Sequence, residues 1–125
     1  MIKKEYRINA PVSEVWLALT NPKYIDNWGG GPAKMSAKQN SKFSLWGGDI
    51  WGINTEVTES KKITQDWYGG DWPAPSRLTF TLKAKDGMTD LTLTQTRVPS
   101  GEQVDIDNGW DEYYLGPLKK YLESK

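Results

Sequence analysis

The residues of this 125-residue chain with the most chemical potential are its carboxylates. Glu102, Asp105, Asp107, Asp111 and Glu112 fall within eleven residues that contain no base. Such a run serves either as a cation ligand set or as negative charge at the start of a helix. Asp105-Ile106-Asp107-Asn108-Gly109 opens like a calcium loop, but Trp110 stands where that loop needs glycine and Gly116 where it needs its bidentate glutamate. A solvated acidic stretch leading into the positive end of a helix dipole accounts for it, and no metal site is assigned. For proton transfer the remaining candidates are Glu56, Asp66 and Asp90, beside Tyr and Lys. No spacing brings two of them into one pocket, and strand alternation turns Glu56 and Asp66 outward. The chain has no His and no Cys, which excludes imidazole catalysis, thiol nucleophiles, disulfides and Cys/His zinc sites. Gly29-Gly30-Gly31 lacks the Lys-Ser/Thr of a phosphate loop and follows a helical stretch, so it reads as a connector. No catalytic residue and no cofactor is assigned, and the chain is read as non-enzymatic.

What the chain has in abundance is indole: 7 Trp and 6 Tyr against 2 Phe. Trp offers a large apolar area with one polar handle, which suits a pocket or a partner surface. Sixteen bases balance sixteen acids, so no bulk field recruits nucleic acid or an anionic membrane. No segment has the length of a signal or membrane-spanning stretch, and the expected location is the cytoplasm. The length fits one domain over residues 1–125, with a folded surface of about 6,800 Å² and enough core for a monomer.

These side chains need elements to position them. Ile2, Tyr6 and Ile8 alternate with charged residues as in a one-sided strand. Val12, Val15, Trp16 and Leu19 then follow helical spacing after Pro11, and Asn21-Pro22 restarts a turn carrying Tyr24, Ile25 and Trp28. From residue 34 to 98 short Thr-, Val- and aromatic-rich runs are punctuated by turn signals, reading as six further strands. Asp86-Gly87 marks a two-residue type I′ hairpin that sets Leu82 opposite Leu91, Phe80 opposite Leu93 and Leu78 opposite Gln95. In the preceding hairpin an odd loop around Ser60-Lys61-Lys62 sets Val57 and Ile63 on one face, with Ile53, Thr55, Gln65 and Trp67. A final helix from about 109 to 123, capped by Asn108, carries an apolar stripe through Trp110, Tyr114 and Leu118, and Pro117 predicts a kink. Together these elements give an α+β fold, a curved antiparallel sheet wrapped around a long C-terminal helix, with a short helical corner after the first strand.

Several separated strings resemble one family: Gly31-Pro32-Ala33, Lys42 through Ile50, Lys61-Lys62-Ile63 leading to Trp67 and Asp71-Trp72-Pro73, Arg97-Val98-Pro99, and Gly109-Trp110 through Lys119. They look like the carboxyl-terminal domain of the activator of heat shock protein 90 ATPase, with agreement from about Ile8 to Leu122. The resemblance implies the helix-grip fold of the START and birch-pollen-allergen superfamily and a heat shock protein 90-type chaperone as partner. Eukaryotic members carry a separate amino-terminal domain that binds the chaperone's middle segment, whereas this sequence opens at the helix-grip domain.

Two binding modes follow. A partner surface is expected on the Gly-rich hairpin, comprising Phe43, Trp46 and Trp51 with Trp72 beside them, unless Trp46 and Trp51 fold back over the open end of the sheet. Alternatively, a cavity for a small hydrophobic ligand lies between the sheet and the last helix, lined by Trp67, Phe80, Leu93, Gln95, Trp110, Tyr114 and Leu118. Alternating leucines on such a face are also what plain core looks like, while a buried Gln95 or Gln65 demands hydrogen-bond partners.

Overall fold

The computed structural model describes all 125 residues. Strand β1 (Ile2–Ile8) leads into helices α1 (Val12–Thr20) and α2 (Pro22–Trp28). Five strands follow: β2 (Lys42–Leu45), β3 (Ile50–Thr58), β4 (Lys62–Gly69), β5 (Ser76–Lys85) and β6 (Met88–Thr96). The chain closes with a helical run made of a 3-10 turn (Ser100–Glu102), α3 (Gln103–Gly109), a π turn (Trp110–Tyr114) and α4 (Leu115–Glu123). All strand pairings are antiparallel, in the order β1-β6-β5-β4-β3-β2. The sheet, the helical corner and the terminal helix share one core of 24 buried apolar residues, and the accessible surface is 6803 Å², as mass scaling requires. No helix is long and apolar enough to cross a membrane.

The helical corner forms for local reasons. Val15, Trp16, Ala18 and Leu19 make one buried face of α1. The Asn21 carboxamide oxygen accepts from the Lys23 and Tyr24 amides, Pro22 occupies the first turn of α2, and Gly29 ends that helix at φ 110°, where a side chain is disfavoured. Thus α2 delivers three glycines to the foot of the sheet.

Five strands follow the corner where the turn spacing suggests six. Residues 34–41 contribute a single bridge, Lys34 to Ser44, because the chain reverses between Lys38 and Ser41 with Asn40 at φ 67°. At Asp86-Gly87 both residues have positive φ, 53° and 79°, as a type I′ turn requires, and the three cross-strand pairs of Leu82, Phe80 and Leu78 form as read.

Between β3 and β4 the three-residue loop sets Val57 beside Ile63, but a bulge at Thr55 changes the facing beyond it. Asn54 and Gly52 point inward opposite Gln65 and Trp67, and Ile53 and Thr55 do not. Two contacts select this arrangement. Buried Asn54 donates to the Ser36 carbonyl at 2.9 Å and accepts from Gln65 at 2.8 Å. Gly52 passes so near β4 that a Cβ there would lie 1.9 Å from the Asp66 carbonyl oxygen.

The terminal helix begins earlier than Asn108, which lies inside α3 and caps nothing. Glu102 and Asp105 instead occupy its first turns, where acids suit the dipole. The kink expected from Pro117 is realised as the π turn. Proline has no N–H for the Tyr113 carbonyl, and the helix widens just before it, the Leu115 amide reaching back five residues to the Trp110 carbonyl. Gly116 accommodates the widened turn, since a Cβ there would meet the Asp111 carbonyl oxygen at 2.1 Å.

Candidate functional site

One apolar cleft of about 360 Å³ opens at the amino-terminal end of the last helix. Trp46 and Asp49 wall it from the β2–β3 connection with Ile50 at the start of β3, and Asp105, Ile106, Gly109, Trp110 and Tyr113 from the helical run; Trp67 and Tyr114 complete it. The β2–β3 connection is fastened to the glycines after α2. The Trp46 indole N–H donates to the Gly29 carbonyl at 2.7 Å, its amide donates to Gly30 at 2.8 Å, and the Gly47 amide donates to Pro32 at 3.0 Å. The Trp46 ring then meets the Trp28 and Tyr114 rings edge-on at 6.3 and 6.1 Å.

The opposite wall is positioned by the clamp between β1 and the helix. Lys4 Nζ lies 2.9 Å from Asp107 and 2.8 Å from Asp111, and the Tyr6 hydroxyl also donates to Asp111. The hydrogen bond from Lys4, joined by that from Tyr6, holds the Asp111 carboxyl below its usual range. The Asp111 hydrogen bond in turn raises the Lys4 ammonium above its ordinary value.

Beneath the cleft the aromatic side chains are locked by a buried polar chain. Trp110 donates to the Gln95 carboxamide oxygen at 2.8 Å, Gln95 donates to Ser76 Oγ at 3.0 Å, and Ser76 donates to the Trp67 carbonyl at 3.1 Å. The Trp67 and Trp110 rings stack at 5.5 Å and 29°, and Trp110 meets Tyr114 at 4.7 Å. Two polar atoms of lining residues have no protein partner: Trp67 Nε1 and the Tyr114 hydroxyl, both buried. Burial pushes the Tyr114 phenol well above its ordinary value.

Of the seven residues expected around a ligand, the structure brings Trp67, Trp110 and Tyr114 together at the cleft. Phe80, Leu93 and Leu118 lie deeper in packed core and do not line it. Gln95 is a fully buried amide whose oxygen and nitrogen are both engaged by protein groups, so its placement needs no ligand.

The four residues expected to form one exposed aromatic surface do not share a face. Phe43 is buried, with its ring edge 3.0 Å from where a Gly52 Cβ would stand. Trp46 turns into the cleft wall, because its N–H finds the Gly29 carbonyl there. Trp51 lies on the outer face, stacked on Tyr68 at 4.0 Å and 1°, and donates to the Gly70 carbonyl. Trp72 is half-buried over Gly69, edge-on to Trp67 at 5.8 Å.

The site residues that sequence reasoning missed are Asp49, Ile50, Asp105, Ile106, Gly109 and Tyr113. A signal for the helical wall exists: Ile106, Gly109, Trp110 and Tyr113 keep i, i+3, i+4, i+7 spacing, extending the stripe one turn upstream. The carboxylates considered for proton transfer are dispersed in ion pairs, Glu56 with Lys62, Asp66 with Arg77 and Asp90 with Arg7.

An antiparallel sheet closed around one long carboxyl-terminal helix, with an aromatic cleft at the start of that helix, defines a helix-grip domain. Residues 9–123 match the family described as Activator of Hsp90 ATPase homolog 1-like protein, and the chain belongs to that family. The human activator of 90 kDa heat shock protein ATPase homolog 1 is 26% identical over 119 residues, which cover 94% of this chain and 35% of that protein. The Saccharomyces cerevisiae Hsp90 co-chaperone AHA1 is 27% identical, over 92% of this chain and 35% of the co-chaperone. The chain therefore spans about a third of the length of these relatives. An HSP90 activator from Plasmodium falciparum superposes with a TM-score of 0.89 at 26% identity, covering 98% of this chain and 97% of that one. The Aha1 dimer from Colwellia psychrerythraea, 18% identical, shares the fold with a TM-score of 0.81, over 98% of this chain and 95% of that one.

Proposed function

We propose that this chain is a non-enzymatic, cytoplasmic binding domain that docks a protein partner at the aromatic cleft, and that the partner is a heat shock protein 90-type chaperone whose ATPase it modulates. The observation that carries this reading is the exposed apolar rim. Tyr113, 61% exposed, lines the cleft, and Val104, 72% exposed, stands on the helical run that walls it. Exposed apolar groups around a concave aromatic centre are how a protein contact surface is built. Family membership and relatives named as chaperone activators support the choice of partner.

The experiment is chaperone ATPase turnover with and without this protein, using the chaperone of the same cell, together with co-elution of the two. Increased turnover and a complex are expected. Unchanged turnover and no complex would overturn the proposal.

A second reading, carriage of a small hydrophobic ligand, is favoured by the unpartnered Trp67 Nε1 and Tyr114 hydroxyl and by a volume within the range of ligand pockets. Fatty acids or sterols would then raise the melting temperature by mass action. No shift with either class would exclude those ligands.

A further inference from the structure

The cleft is lined by five aromatic rings and two carboxylates, with no Lys or Arg. Asp49 stands on the β2–β3 connection and Asp105 on α3, so the two acids belong to opposite walls. Both are exposed and neither enters an ion pair, whereas Asp107 and Asp111 of the same helical run are held by Lys4. Covering two free carboxylates with a neutral ligand would cost their hydration and return nothing. A cation reverses that balance, because it compensates both charges at once.

The rings favour the same occupant. Of the five rings, half-buried Trp46 and Tyr113, 61% exposed, are the ones an occupant can reach, above a floor of buried Trp67, Trp110 and Tyr114. An aromatic face attracts a cation within about 6 Å of its centroid. The molecule already uses this chemistry once. The Lys125 ammonium lies 4.3 Å from the Tyr24 ring centroid, 5.2 Å from that of Tyr121 and 3.2 Å from the Glu14 carboxylate.

We propose that the cleft receives the ammonium of a lysine side chain displayed by the protein partner, its stem against Ile50 and Ile106 and its charge between Asp49 and Asp105. Two carboxylates on separate walls suit a compact point charge with three donors better than a planar guanidinium, which pairs with a single carboxylate in bidentate fashion. The exposed Tyr113 at the cleft and exposed Val104 on the same helical run favour a side chain presented on a polypeptide over a free amine. This inference rests on the reading of the cleft as a protein-docking site.

The test is an NMR titration of the full chain, following its indole N–H signals. The probes are a capped alanine-rich pentapeptide with one central lysine, the same peptide with that lysine Nε-acetylated, and n-butylammonium. The expected result is that the lysine peptide shifts the Trp46, Trp67 and Trp110 indoles, that acetylation weakens binding about tenfold or more, and that the double variant Asp49→Asn, Asp105→Asn does the same. Equal affinity for both peptides, unchanged affinity in the double variant, no shift at these indoles, or n-butylammonium binding as tightly as the lysine peptide would each overturn it. If the chaperone binds but acetylation of the peptide has no effect, this inference alone falls. If the lysine peptide binds with the stated charge dependence and the chaperone does not, the choice of partner falls instead.

Discussion

The Trp110 indole N–H donates to the Gln95 carboxamide oxygen at 2.8 Å, joining the middle of the terminal helix to the end of the last strand inside the core. Both residues are at most 2% exposed, so the bond is out of reach of water. It fixes the ring that floors the cleft. Replacing Gln95 with Leu leaves the indole donor and Ser76 with fewer partners and is expected to cost about 1 to 3 kcal/mol. Trp110→Phe removes the donor as well, so a double-mutant cycle in urea unfolding should be non-additive. Additive losses would mean the bond contributes nothing to the coupling of helix and sheet.

Gly116 tests the π turn. Gly116→Ala drives a Cβ into the Asp111 carbonyl oxygen, 2.1 Å away, and is expected to destabilise by about 1 to 3 kcal/mol despite alanine's better helix propensity. The near-UV dichroism of Trp110 and Tyr114 should change with it. A stabilised variant would show that the turn relaxes to an ordinary α-helix without loss.

The clamp of Lys4 and Tyr6 on Asp111 has a defined pH dependence. The Asp111 carboxyl is depressed in the folded chain, chiefly by the Lys4 hydrogen bond, so its contribution is present above the ordinary value of 3.8 and is lost as pH falls through the lower folded value. The Lys4 ammonium is raised, so its contribution is present below 10.5 and is lost as pH rises through the higher folded value. Asp111→Asn should flatten the acid limb of the stability curve below about pH 4 and lower the stability at neutral pH. An acid limb identical to that of the parent would show that the clamp is not coupled to folding.

Trp46 and Trp51 are separated by four residues and should behave oppositely. Trp46 is half-buried against Trp28 and Tyr114, so Trp46→Ala is expected to cost about 2 kcal/mol, less than a fully buried indole. Trp51 sits on the outer face with one stacked partner, and Trp51→Ala should cost about 1 kcal/mol or less. Thermal unfolding of the two variants checks the order, and a larger loss at Trp51 would contradict the placement of the rings.

The architecture was legible because period and punctuation agree along most of the chain. Ile2 and Ile8, the α1 stripe, the Asp86-Gly87 turn and the sheet-facing Trp110, Tyr114 and Leu118 all fall where alternation or helical spacing sets them. Two departures have different causes, one non-local and one local. The bulge at Thr55 is selected by Asn54 hydrogen bonds to Ser36 and Gln65, and alternation carries no information about partners eleven or eighteen residues away. Asn108 looked like a cap because the acidic run resembled loop, whereas Glu102 and Asp105 supply favourable charge at an earlier start. The site was less legible for a non-local reason. Whether an aromatic on a Gly-rich turn faces inward depends on a carbonyl such as that of Gly29, seventeen residues back, and that contact moved Trp46 from the outer surface into the cleft.

Titration of the indole-labelled chain with an Hsp90-type chaperone tests most directly whether the cleft is the docking site. The expected result is that the Trp46, Trp67 and Trp110 signals shift or broaden first while Trp16, buried under α1 away from the cleft, follows only with the tumbling of the whole complex. Perturbation confined to Trp51 on the outer face, or a complex that leaves all three cleft indoles unmoved, would contradict it.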